Sequence, residues 1–211
     1  MKTKKKVPMI VLALIPVGVA INFATYFIAT SLKLPLFLDA TGTVIVAATC
    51  GPVVGGLCGL LFSIISGISY PTSMLYFPVS TICGVIIGLT ATKLKWMTKF
   101  STSLLVALLL AINGVFLSYP ITVMLFGGVT PSGQSVILLG LQAIGFSQTA
   151  AYFISALMTE FLDKFITVII GFFVIRLISD RFLSKLPYGS LYFKKSYKGI
   201  KESVEEEGAS K

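Results

Sequence analysis

LPLFLDATGTVIVAATCGPVVGGLCG, residues 34–59, decides how this chain folds. A carboxylate, Asp39, stands at the head of an apolar run. Ionisable groups beside membrane-spanning sequence are costly and mark functional sites. The run ends at Gly51-Pro52, and a Gly-Pro break between two apolar stretches predicts a tight hairpin between spans. In the second run Gly55 and Gly59 stand four apart, on one helix face, where a small surface lets another helix come close.

Composition extends this reading to the whole chain. Of 211 residues, 55% are hydrophobic and only 12% charged, and the mean hydropathy is +0.94. That is the profile of an integral membrane protein, and the length suits one membrane domain. Histidine is absent, which removes the commonest metal ligand and general base. Cys50, Cys58 and Cys83 all lie in apolar runs and read as small packing residues. The net charge of +9 is placed at the flanks of apolar runs, as topology signals are, so it does not indicate a nucleic-acid partner. The KTKKK start is like a signal-peptide n-region, but the following apolar run is too long and lacks a clear cleavage site, so it is expected to be retained as span one.

Six spans are expected, at about residues 7–30, 36–50, 52–68, 74–92, 102–126 and 152–178. Pro16 and Gly18 permit a kink in the first. Trp96 sits in the basic 93–99 loop at an interface-like position. Residues 135–156 are apolar enough to suggest a seventh span, and charge placement decides against it. With six spans the basic N-terminus, the 93–99 loop and the 176–201 segment fall on one side, satisfying the positive-inside rule. The fold expected is therefore an all-α membrane protein with six transmembrane helices and both termini cytoplasmic. Residues 135–145 form a re-entrant or interfacial helix in a long extracellular loop between helices five and six. Residues 1–193 make the membrane domain, and residues 194–211 make a charged cytoplasmic tail.

Four charges lie in or beside spans: Asp39, Glu160, Asp163 and Lys164. The six-span arrangement puts all of them in one outer layer. Glu160 and Lys164, spaced i,i+4, can pair on one helix face. The bland reading is a self-neutralising pair near the interface. The functional reading is one wall of an outward-facing pocket, with Thr167 and Gly171 continuing an inward stripe. Asp39 and Asp163 have no obvious local partner, which favours a functional role. Lys33 reads as an interface anchor. Tyr70, Tyr76, Asn113, Tyr119, Gln134, Gln142 and Gln148 could supply stacking and hydrogen bonds to a small molecule. Each tyrosine also fits an interface aromatic, and Asn113 also fits a helix–helix link. The expected substrate-binding set is Asp39, Thr43, Tyr76, Asn113, Tyr119, Glu160, Asp163 and Lys164. Three carboxylates against one lysine favour a ligand with an amino or cationic group.

The proline-led LFLD, the small-residue GT, the short span ending in GP and the glycine-rich second span together resemble the substrate-binding S component of energy-coupling factor (ECF) vitamin transporters. The likeness is closest to the riboflavin-type and uncharacterised members, and it extends loosely over the chain through length, span count and loop pattern. It implies capture of a vitamin-like micronutrient from outside the plasma membrane, with no enzymatic activity and no cofactor or metal of its own. It also implies a scaffold transmembrane subunit and two ATPase subunits as partners, with ATP used only by those partners. In that family an alanine pair on the first span faces the scaffold. Ala20 and Ala24 match its spacing, and ordinary packing within the monomer is the alternative. The glycine pairs Gly55/Gly59 and Gly84/Gly88 fit internal packing better.

Two other classes remain open on sequence alone. A standalone ion-coupled permease would need no partner subunits, although no internal repeat is evident. An intramembrane enzyme would need a catalytic cluster, and there is no D-x-x-D motif and no histidine. No G-x-x-x-x-G-K-[ST] is present, so ATP hydrolysis by that route is excluded.

Overall fold

The computed structural model describes residues 8–130 and 132–194. The expectations for the basic N-terminal residues and for most of the 194–211 tail fall outside these. Among the described residues every regular element is helical. In chain order the α-helices are α1 (Met9–Ser31), α2 (Thr41–Cys50), α3 (Pro52–Ser69), α4 (Pro71–Met74), α5 (Phe77–Thr92), α6 (Phe100–Phe126), α7 (Gly133–Ala143), α8 (Gln148–Leu177) and α9 (Asp180–Leu183).

Helices α1, α3 and α6 are long and apolar enough to cross a membrane. The surface agrees with that. Large apolar side chains such as Leu12, Phe27, Phe116, Met124, Phe161 and Phe173 face outward, while Asn22, Thr43, Ser63, Asp163 and Thr167 are buried. Polar groups turned inward beneath an apolar exterior are what a hydrocarbon solvent selects. The protein is a helical membrane protein on these grounds.

The opening stretch forms the centre of the bundle. Helix α2 has ten residues, of which all but Ile45 are buried. It is surrounded by α1, α3, α5 and α8. At about 15 Å it is half the thickness of a bilayer core, and the 34–40 segment ahead of it is non-helical, with a turn at residues 39–40 leading into the helix. A helix start buried this way leaves orphan N–H groups, and α2 has no side-chain cap of its own. Asn22 on α1 caps it from outside. Its Oδ1 accepts the N–H of Gly42 at 2.6 Å and of Thr43 at 3.2 Å, and its Nδ2 donates to Thr43 Oγ1 at 2.7 Å. The close approach behind this comes from Gly18 and Gly42, where an added Cβ would strike the facing helix.

The hairpin predicted at Gly51-Pro52 is present. Gly51 has φ +96°, a conformation open to glycine, and Pro52 starts α3. Helix α3 then packs on α5 along the two glycine pairs. A Cβ on Gly84 would meet the Gly55 backbone, one on Gly59 would meet Ser80, and one on Gly88 would meet Pro52. Both GxxxG pairs thus serve internal packing. Span four was expected from residue 74, but a separate short turn, α4, precedes α5 at Phe77. Pro71 and Pro78 each favour a helix start, which breaks the run in two.

The 135–145 stretch is helical, as α7, and packs against α8. Helix α8 is capped by Ser147, whose Oγ accepts the N–H of Ala150. Beyond α8, the chain folds under the C-terminal end of α2. Tyr188 donates its N–H to Thr49 O at 3.1 Å, and Tyr192 Oη donates to Ala48 O at 3.3 Å. Burial pushes the Tyr192 phenol up from its usual pKa, which keeps it a hydrogen donor there.

Candidate functional site

The site is built on α8. Residues 160, 164, 167 and 171 share one face of a helix, and that face turns into the bundle. Glu160 is 6% exposed, Lys164 5% and Thr167 0%. Gly171 lies against Val44 of α2, where a side chain would not fit. Asp163, one residue around the helix, is also wholly buried.

Lys164 is shared by three carboxylates. Its Nζ lies 2.6 Å from Asp163 Oδ2, 3.2 Å from Asp39 Oδ1 and 3.6 Å from Glu160 Oε2. The first two contacts are hydrogen bonds. Glu160 Oε2 is buried and has no hydrogen-bond partner. Asp39 has no local partner, as expected, and meets Lys164 across 125 residues; for Asp163 the expectation is corrected, because its neighbour Lys164 is a local partner. Chain separation hid the first contact, and for the second a lysine stem curls back along its own helix.

Asp163 has a second task. Its Oδ1 accepts the N–H of Phe37 at 3.0 Å and of Leu38 at 2.6 Å. Leu38 has φ +49°, an uncommon conformation for a leucine. Its carbonyl accepts from Thr25 Oγ1 at 2.5 Å. The peptide units ahead of Asp39 are therefore held from both sides, by α8 and by α1, and this clamp sets where the Asp39 carboxylate points.

Above the cluster opens a pocket of about 790 Å³, mouth included. Asp39, Glu160 and Lys164 form its charged floor. Tyr26, Phe37, Phe62 and Tyr76 supply aromatic wall, and Ser63, Ser73, Ser80, Ser118, Thr122 and Thr130 supply hydroxyls. Ser132 and Gln134 close the side nearest α7. Tyr76 Oη bonds Thr122 Oγ1 at 2.7 Å, and Tyr26 Oη lies 3.3 Å from Ser73 Oγ, so the two wall tyrosines are fixed in place. A much smaller cavity lies against Asp39 and Lys164, lined also by Thr43, Cys83 and Asn113.

The eight expected binding residues divide accordingly. Asp39, Tyr76, Glu160 and Lys164 line the main pocket, while Thr43 and Asn113 line the smaller cavity. Asn113 also donates to Val79 O at 3.2 Å, linking α6 to α5. Asp163 lines neither cavity and acts through Lys164 and the 37–38 peptides. Tyr119 is elsewhere, in an aromatic cluster with Tyr152 and Phe153 at ring distances of 5.1 and 4.9 Å. Among the further candidates, Gln134 lines the pocket. Gln148 instead donates to Gly127 O, and Tyr70 packs edge-on against Tyr26 at 5.4 Å.

Sequence reasoning missed the hydroxyl wall and Asn22. Asn22 carried the same signal as Asn113, an amide inside an apolar run. The serines and threonines carried little signal, since hydroxyls in apolar helices commonly bond their own backbone, as Thr81 does to Phe77 O at 2.6 Å.

The chain has no match among protein-family models, curated proteins or solved structures.

Proposed function

We propose that the chain is the substrate-capture subunit, or S component, of an ECF-type importer, taking up a vitamin-like micronutrient for ATP-driven entry. The observation that carries this reading is the main pocket. It is a cleft with aromatic wall, dense hydroxyls and a charged floor, inside a bundle with an apolar exterior. The sequence resemblance at residues 34–59 falls on the segment that supplies the pocket's Phe37 and Asp39.

The same reading has six crossings: α1, α2 with the non-helical segment ahead of it, α3, α5, α6 and α8, with α7 in the outer loop. Arg176 Nη2 donates to Thr98 O at 2.6 Å, so the end of α8 and the basic loop before α6 lie at one end of the bundle. The pocket draws on the other ends of α3, α5 and α6. Placing the basic end in the cytoplasm puts the pocket outside.

The energising module would be a scaffold subunit and two ATPases on separate chains. Reconstitution with that module in proteoliposomes tests the reading, together with mass spectrometry of small molecules that co-purify. Uptake that requires the partner subunits and ATP is expected. A second reading, an ion-coupled permease, is favoured by the buried lysine–carboxylate cluster, since such groups serve proton relays. Uptake by the chain alone, driven by an ion gradient, would establish it and overturn the first.

A further inference from the structure

We infer that the main pocket takes a small organic cation: an amidinium- or ammonium-bearing molecule with a flat body, its charged end against Glu160 and Asp39. The inference deepens the reading above by naming the ligand class, and it rests on that reading of the pocket as a capture site.

Donors at the floor are already committed. Lys164 points its ammonium at Asp163, Asp39 and Glu160. The N–H groups of Phe37 and Leu38 are taken by Asp163, and the Asn113 amide by Val79 O. An anionic ligand would find no free cation there and would face Asp39 and Glu160.

Acceptors are in surplus. Three carboxylates share one lysine, and the contact to Glu160 is the longest, at 3.6 Å. Glu160 lines the pocket, and its buried Oε2 has no hydrogen-bond partner. A buried carboxylate oxygen without a donor is costly, and a ligand that brings a charged donor relieves that cost. Gly114 makes the space. A Cβ there would meet the Glu160 carboxylate, so the glycine lets this group sit at the floor. The wall fits the same ligand, because Tyr26, Phe37, Phe62 and Tyr76 line the pocket and aromatic rings favour a cation beside them.

The test uses the purified full chain in detergent and three isosteric probes: benzamidine (cation), benzamide (neutral) and benzoate (anion). Titration calorimetry should show benzamidine binding at least about tenfold more tightly than either of the others, the scale set by one charge-assisted contact. Glu160→Gln, which keeps size and removes charge, should lose about tenfold or more in benzamidine affinity. Benzoate binding as well as benzamidine on the unaltered chain overturns the inference, and so does the absence of any benzamidine binding. Unchanged affinity in Glu160→Gln overturns it too. The wild-type comparison decides even if the variant fails to fold. ATP-driven uptake alongside a failed benzamidine preference would remove only the ligand class. Benzamidine binding with uptake independent of ATPases would remove only the importer reading.

Discussion

Asp163 accepts the backbone N–H of Leu38 at 2.6 Å, and this bond ties the middle of α8 to the turn that launches α2. The same carboxylate holds Lys164 Nζ at 2.6 Å through its other oxygen. One buried side chain thus fixes both the peptide N–H groups just ahead of Asp39 and the lysine that Asp39 contacts.

Asp163→Ala should therefore destabilise the protein by about 3–5 kcal/mol, the usual result of stripping one partner from a buried ion pair. Asp163→Asn keeps an acceptor for the two N–H groups and should cost less. Thermal unfolding in detergent ranks the two. Equal stability of Asp163→Ala and wild type would remove the clamp.

Gly114→Ala should act on Glu160 more than on the fold. The new methyl group takes the space of the Glu160 carboxylate, and that flexible side chain can swing away. The substitution favours α6 by up to about 1 kcal/mol in helix propensity. A melting temperature near wild type is expected, with benzamidine affinity reduced about tenfold through the displaced contact. Unchanged affinity would show that the carboxylate works equally well elsewhere.

Gly84→Ala should destabilise by about 1–3 kcal/mol, because its Cβ meets the Gly55 backbone, which has no free end to swing away. Gly84→Leu should give little folded protein. Monodispersity on size exclusion is the readout, and a well-behaved leucine variant would mean that α3 and α5 can part without penalty.

Ala20 and Ala24 are both exposed on α1. Replacing either with leucine should leave thermal stability within about 0.5 kcal/mol, as for surface sites generally. That outcome would set monomer packing aside as their role. Under the proposed function the same variants bind ligand normally and lose ATP-driven uptake with the energising module. Normal uptake would count against docking on this face.

Tags at either terminus should be reached from the cytoplasmic side only, and a tag near Ser132 from outside. An external C-terminus would overturn the six-crossing arrangement and turn the pocket inward.

What could be read from the sequence was set by composition and spacing. The helical membrane class followed from apolar runs, the α2–α3 hairpin from Gly51-Pro52, and the inward stripe of α8 from the spacing of Glu160, Lys164, Thr167 and Gly171. These are local properties: a break, a period or a run acts within a few residues of itself. Asp39, Tyr76, Glu160 and Lys164 were legible as pocket residues for the same reason, being polar groups in or beside apolar sequence.

The rest was decided by tertiary structure. Asp163 had the credentials of a ligand contact, but its carboxylate is consumed by two N–H groups and a lysine. Tyr119 was an equal candidate to Tyr76, and packing sent one to an aromatic cluster and the other to the pocket wall. Asn22 caps a helix 20 residues downstream. Spacing shows that a polar group inside a membrane must find a partner, since hydrocarbon supplies none. Which partner it finds depends on helix rotation and crossing, and these emerge only when small residues such as Gly18, Gly42, Gly55 and Gly84 let the backbones close on one another.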